Sequence, residues 1–170
     1  IHTPLMPSNT MNQMIDGEIF LKLENLQRTG AFKFRGAYNK LQQLSELEKS
    51  KGVIACSAGN HAKVVALAAS LLGINARIYM PMTAPRTKIE ATKAYGAEVV
   101  LAGETFDETK QLTITEAEQS GELFISTFDD QAIIYGQGTI GLEILADLHD
   151  VATLIVPIGW GGVIAGKVLA

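Results

Sequence analysis

The sequence holds one cysteine, Cys56, so no internal disulfide can form, which fits a reducing cytosol. It also lacks a long clean apolar run. The most hydrophobic segment, VATLIVPIGWGGVIAGKVLA (151–170), is broken by Pro157, by glycines and by Lys167. It falls short of the ~20 apolar residues that a bilayer span needs. The opening IHTPLMPSNT has neither the basic region nor the apolar core of a signal peptide. Basic charge is not in excess. A net charge of −4 and a pI near 5.4 leave no basic face for nucleic acid or an anionic membrane. Neither of the glycine turns that follow strands, CSAGNH and IGWGGV, matches G-x-x-x-x-G-K-[ST] or G-x-G-x-x-G, so they read as neither a P-loop nor a dinucleotide fingerprint. Low-complexity tracts and sequence repeats are missing as well. His2 and His149 stand isolated, without metal-ligand spacing, and imply no metal site. The expectation is a soluble, cytoplasmic protein that binds neither nucleic acid nor membrane.

What is present is enough for a core: 170 residues, 47% hydrophobic and 19% charged, one domain or two small ones. A strand at Ile19–Leu23 leads into a helix from near Phe32, and Ser45 and Glu48 have capping-box spacing. From Gly52 onward the pattern becomes regular. VIAC, ARIYM, AEVVLA and LFIS read as short strands. They alternate with helices in HAKVVALAASLLG, PRTKIEATKAYG (opened by Pro85) and FDETKQLTITEAEQSG. A further helix, GTIGLEILADLH, precedes an apolar strand, TLIVPI, and the turn GWGG. This alternation predicts an α/β fold: an open parallel sheet with helices on both faces. Residues from about Gly52 to Thr127 form its compact unit, with the two flanks in a second, incomplete sheet. The opening isoleucine and the uncapped apolar run at the end read as a fragment of a longer protein.

In open α/β sheets ligands bind at the carboxyl ends of strands, where helix N-termini offer free N–H groups. Two turns suit that: CSAGNH after VIA, and IGWGGV after LIVP. Glycine after a strand is also common simply because tight turns need it. Lys33, between Phe32 and Phe34, shares a helical face with Gly36, Ala37 and Lys40. The two small residues would let something approach the amine closely. Such a lysine reads in two ways: a side chain snorkelling past Phe32 to water, or a desolvated amine with a lowered pKa. Context alone favours the first. Arg35 reads as a surface or interdomain ion-pair partner, Cys56 as a small buried residue and Asn60 as a helix cap. Asp129, Asp130, Glu116 and Glu118 read as solvated charge.

Taken together, five blocks say more. LKLENLQRTGAFKFRGAYNKL, ACSAGNHAKVVALAA, PRTKIEATKAYGAEVVL, GQGTIGLEIL and VPIGWGGVIAG occur in the order and spacing of the fold-type II pyridoxal-phosphate enzymes. The chain resembles the threonine dehydratase (threonine ammonia-lyase) family end to end, with serine racemase and serine dehydratase nearby. Cysteine synthase-type enzymes differ around the lysine. The resemblance implies a tryptophan synthase β-like fold: residues 1–51 open the large cofactor domain, 52–129 form the small α/β domain, and 130–170 return to the large one. It implies pyridoxal 5′-phosphate as cofactor, joined to Lys33 as a Schiff base, with Lys33 then shuttling the α-proton. Phe32 would pack on the pyridine ring, and Gly159, Gly161, Gly162 and Val163 would wrap the phosphate. Ser57, Ala58, Gly59, Asn60 and His61 would hold the substrate carboxylate, Asn60 also reaching the cofactor's phenolic oxygen. The implied reaction removes water and then ammonia from L-threonine or L-serine, leaving a 2-oxo acid, in amino-acid catabolism or isoleucine biosynthesis. The full-length form would be a homo-oligomer.

Departures from the family pattern bear on this. Trp160 stands second in a turn that the family writes as four glycines. At a positive φ a side chain there costs on the order of 1–2 kcal/mol. Lys63 and Val64 replace a glutamine and a glycine after the Asn-His pair, and Ala31 replaces a frequent serine. Family chains continue well past Ala170, supplying the rest of the large-domain sheet and the residue facing the pyridine nitrogen. In serine racemase-like members the missing part also carries a metal site. Two alternatives stay open: a serine racemase, which shares every motif in this half, and a non-catalytic remnant that has lost its cofactor.

Overall fold

In the computed structural model, which describes residues 1–159 and 161–168, the chain enters through a small antiparallel pair. Strand β1 (Leu5–Pro7) and strand β2 (Phe20–Lys22) flank helix α1 (Asn9–Ile15), with Leu5 opposite Lys22. Two 3-10 turns, Glu24–Leu26 and Arg28–Gly30, then carry the chain to α2 (Lys33–Gln42). Helix α3 (Glu46–Lys51) begins with the predicted capping box: the Ser45 hydroxyl accepts from the Glu48 N–H, and the Glu48 carboxylate accepts from the Ser45 N–H at 2.8 Å.

The regular part follows. It comprises β3 (Val53–Cys56), α4 (Asn60–Leu71), β4 (Ala76–Met80), α5 (Arg86–Lys93), β5 (Glu98–Leu101), α6 (Phe106–Ser120) and β6 (Leu123–Phe124). The four strands form one parallel sheet in the order β5-β4-β3-β6, with Val53 beside Ala76 and beside Leu123. All four residues of β3 are buried, as a central strand covered on both faces must be. Val53 and Ala55 join Ile78, Met80 and the alanine-rich face of α4 in the main core, which Phe34, Ala37 and Leu41 of α2 complete. The alternate positions face α6: Cys56 Sγ lies 4.0 Å from the Phe106 carbonyl, and Arg77 pairs with Glu116 at 2.9 Å and with Glu122. Glu116 is therefore bound rather than solvated.

Two expectations for the last third are corrected. Helix α7 runs from Gln131 to Asp147, starting well before the expected Gly138. Its cap is Asp130, whose carboxylate accepts from the Ala132 and Ile133 N–H groups and pairs with Lys40 at 2.8 Å, so this aspartate is not merely solvated charge. The expected strand at TLIVPI is irregular chain, with Ile155 91% exposed. No strand among the described residues lies beside it, and without a ladder partner an apolar run cannot be a strand. Helix α8 (Gly162–Val168) follows.

Glycines set how α2, α7 and α8 pack. A Cβ on Gly136 would sit 2.6 Å from the Arg35 carbonyl oxygen and from Gly36 Cα; one on Gly138 would sit 2.5 Å from the Gly166 carbonyl oxygen. Backbones touch at both places. The Arg35 side chain, 7% exposed, closes the arrangement. Its guanidinium donates to both oxygens of Glu24 (2.7 and 2.9 Å) and to both oxygens of Glu143 (2.5 and 2.9 Å). Lys22, 6% exposed, pairs with Glu143 at 2.7 Å, and exposed His2 reaches Asp147 at 2.8 Å. Arg35 is thus an ion-pair residue, as expected, but a buried one. Burial alone would raise the Glu143 carboxyl; the Arg35 and Lys22 hydrogen bonds outweigh it and hold it down to about 2.

His61, in the first turn of α4, is 3% exposed and donates from Nε2 to the Ile125 carbonyl at 3.2 Å. Burial pushes its pKa down to about 4, the hydrogen bond to Ile125 opposing and the nearby Lys33 assisting. The imidazole is therefore neutral near pH 7.

Three stability outcomes follow. Gly136→Ala gains helix propensity but drives a methyl into backbone, and urea denaturation should show a net loss of about 2 kcal/mol; an unchanged midpoint would contradict the backbone contact. Glu143→Gln, which leaves half of the Arg35 fork unmatched, should cost about 3 kcal/mol. The pH dependence separates two carriers. A depressed folded pKa gives stability that is complete above the unfolded value and is lost as pH falls through the folded one. His61 therefore costs stability from pH 6.5 down to about 4, and Glu143 from pH 4.5 down to about 2. His61→Gln should flatten only the first window and Glu143→Gln only the second, read as unfolding free energy against pH.

Candidate active site

Helix α2 starts where two consecutive residues adopt left-handed backbone, Thr29 at φ 63° and Gly30 at φ 74°. For a β-branched residue this conformation costs roughly 1–2 kcal/mol. The turn points the chain so that the two phenylalanines beside Lys33 part company. Phe34 goes into the core, 6% exposed, stacked on Tyr38 at 5.5 Å with the Arg28 guanidinium 5.7 Å from its centre. Phe32 stays at the helix entrance, its ring centre 5.9 Å from Lys33 Nζ.

Lys33 and Phe32 face a cavity of about 230 Å³ between the start of α2, the chain after β6, α7 and the glycine turn. Gly159, Gly161, Gly162 and Val163 line its far wall. Gly161 has φ +84°, and a Cβ on it or on Gly159 would meet nothing within 4 Å. Among the described residues, Gly159 and Gly161 present bare backbone to open space. Trp160 lies outside the described residues. Lys33 makes no ion pair among the described residues, and burial pulls its pKa below the ordinary lysine value of 10.5. A half-buried amine without a counter-ion keeps a larger neutral fraction, the form that acts as nucleophile or base.

The Ser57–His61 loop lies at the carboxyl end of β3. Ser57 Oγ accepts from the Gly59 N–H at 3.1 Å and shapes the turn into α4. Gly59 and Asn60 open onto a second cleft of about 420 Å³ shared with Lys63 and Lys88, not onto the Lys33 cavity. His61 is close enough to Lys33 for the lysine's charge to help depress the imidazole pKa. With its ring committed to Ile125, it can offer a ligand only its backbone. Val64 is fully buried in the core of α4.

The small residues after Lys33 serve another purpose than the expected one. Gly36 and Ala37 are buried, and the space beside Gly36 is taken by α7: a Cβ there would lie 2.7 Å from the Ile133 carbonyl oxygen and would collide with Gln137. They admit a helix, not a ligand. Gln137, which no reading of single residues singled out, lines the Lys33 cavity together with Phe128. Its only trace in the sequence is the GQGT block.

Compared with known proteins, residues 1–170 match the profile of the family described as pyridoxal-phosphate dependent enzyme. The catabolic L-threonine dehydratase TdcB of Escherichia coli (strain K12) is 53% identical over 168 residues, 99% of this chain and 51% of that protein. The processed form of threonine deaminase isoform 2 from Solanum lycopersicum superposes with a TM-score of 0.96 at 45% identity, covering 98% of this chain and 46% of that one. Maize serine racemase gives 0.95 at 39% identity, with 99% and 51% covered. The chain spans about half the length of these relatives. With a single family profile spanning it throughout and such relatives on both sides, this chain belongs to the pyridoxal-phosphate dependent enzyme family.

Proposed function

We propose that the protein carrying this chain is a pyridoxal-phosphate dependent ammonia-lyase that converts L-threonine or L-serine to a 2-oxo acid and ammonia. The observation that carries the proposal is the pairing of a desolvated lysine amine with an open glycine turn across one cavity, in a chain 53% identical to a threonine dehydratase. The residues present fit the cofactor. An unpaired amine suits its aldehyde, the Phe32 face suits an aromatic ring, and bare glycine backbone facing open space suits its phosphate. Gln137 lines the same cavity, and its buried Oε1 has no hydrogen-bond partner among the described residues.

When bound, pyridoxal phosphate supplies an electron sink for negative charge at the substrate α-carbon. The rest falls to the chain. Lys33 Nζ, neutral more often than an exposed lysine, takes the α-proton and holds it for return. Phe32 covers one side of the cavity and keeps water from the amine. The family resemblance assigns the substrate carboxylate to the Ser57–His61 loop at the head of α4, a three-turn helix, although Gly59 and Asn60 face the neighbouring cleft and the Ser57 and Gly59 N–H groups already donate to the Tyr79 carbonyl and to Ser57 Oγ. Neutral His61 brings no second cation beside Lys33. Residues 52–129 are read as the small domain carrying that loop. Buried, unpaired Cys56 supports a reducing, cytoplasmic setting, and no helix among the described residues is long and apolar enough to cross a membrane. Assembly of the intact enzyme as a homo-oligomer extends the family resemblance.

A second reading, serine racemisation, is favoured by the likeness to the maize enzyme. Product analysis separates the two: 2-oxo acid and ammonia from threonine support the lyase, whereas D-serine without oxo acid supports the racemase. For the cofactor, mixing the intact protein with pyridoxal phosphate should give a visible absorption band that borohydride fixes on Lys33, located by peptide mass. Lys33→Ala should lose the band and keep its far-UV circular dichroism. Labelling at another lysine, or none, would overturn the assignment. The rate of adduct formation should rise with pH to a midpoint below 10.5, the side to which burial moves Lys33.

A further inference from the structure

His61 is a buried polar ring at the head of an apolar helix, followed in the chain by Ala62, Val64 and Val65 of the main core. Leucine would suit such a position and need no partner, whereas burying an imidazole costs free energy. What the imidazole has and leucine lacks is the Nε2–H, and its acceptor is the Ile125 carbonyl, 64 residues along the chain. Ile125 follows β6, a two-residue strand at the edge of the parallel sheet. Its own N–H donates to the Ile54 carbonyl at 2.8 Å, so both of its main-chain groups are engaged. Beyond it, residues 126–129 form neither helix nor strand. The Ser126 hydroxyl accepts there from the Phe128 and Asp129 N–H groups at 3.4 and 3.0 Å, and Asp130 then caps α7 and pairs with Lys40. Thr127 and Phe128, in the middle of this stretch, line the Lys33 cavity. That wall is therefore strung between two fixed points: Asp130 at one end, and at the other the carbonyl that His61 holds.

We propose that His61 is a positioning residue, whose Nε2–H grips the Ile125 carbonyl so that the Thr127–Phe128 wall of the Lys33 cavity is already in place when the cofactor arrives. This rests on the proposed function, which puts pyridoxal phosphate in that cavity. The grip is made by the ring and is separate from any part the loop's backbone plays toward a substrate carboxylate. It joins the head of α4, at the carboxyl end of β3, to the chain leaving β6, the strand paired with β3. A short irregular stretch released at one end samples more conformations. A cavity that is competent only part of the time binds its ligand more weakly in the same proportion. The cost of burying the imidazole is thus offset where it matters, at a wall that the sheet itself does not reach.

The test uses the intact protein with His61→Leu, which removes the donor, and His61→Gln, whose amide nitrogen reaches about as far as Nε2 and restores it. Should leucine disturb folding, His61→Met takes its place. The first readout is amide hydrogen exchange in the cofactor-free protein, resolved by peptide. In His61→Leu it should be about tenfold faster across residues 126–129, the worth of one hydrogen bond, while β3 and β4 keep their protection. The second is titration with pyridoxal 5′-phosphate, which should bind about tenfold more weakly to His61→Leu. His61→Gln should return both toward the values of the unaltered protein. A merely structural histidine would instead speed exchange in β3 and β4 as much as in 126–129, which overturns the assignment. A glutamine variant no better than the leucine one overturns it too. If the unaltered protein binds no pyridoxal phosphate, the proposed function fails and takes this assignment with it. If it binds, and His61→Leu binds equally well, the assignment alone fails.

Discussion

Everything about the Lys33 cavity depends on the guanidinium of Arg35. It stands two residues after the amine, about 200° around the helix, so α2 presents the half-buried Lys33 amine on one side and an anchor on the other. The anchor is doubly bidentate, to Glu24 from the turns before α2 and to Glu143 from α7. A buried ion cluster of this kind contributes little net stability compared with apolar packing, because desolvation consumes most of the attraction. Its value is geometric. Planar forks fix direction as well as distance, so the helix carrying Lys33 has little freedom to roll.

The same helix shows how separate physical demands are met within ten residues. Phe34, Ala37 and Leu41 bury an apolar stripe against the sheet-covering helix α4, Gly36 accepts α7, Lys40 ties down its cap at Asp130, and Lys33 is left over. Leaving a lysine half-buried and unpaired is costly. That cost is the source of its lowered pKa.

The parallel sheet was legible in the sequence because each of its strands is a short apolar run bracketed by helical periodicity; ARIYM is β4 to the residue. The capping box of α3 and the helix start at Lys33 were legible for equally local reasons. The failures are tertiary. QAIIYGQG carries two glycines that look like a break, yet they are helical because backbones of α2 and α8 lie against them. TLIVPI has strand composition, but pairing is supplied by neighbours and not by composition. Gly36 and Ala37 were read as clearance for a ligand, and smallness alone cannot say whether a ligand or a helix fills the clearance. In the site, Lys33 and the glycine turn could be picked out through their family motifs. Gln137 could not, since an unpaired acceptor is a property of the packed molecule.

The glycine contacts linking α2, α7 and α8 also restrict how the cavity can change shape. Helices that meet through side chains can creep past one another by rotamer changes. Helices that meet backbone to backbone cannot, because a slip of one residue brings a Cβ onto a carbonyl. The walls bearing Lys33 and Gln137 are thus indexed like the teeth of a gear. They can separate, but they cannot shear.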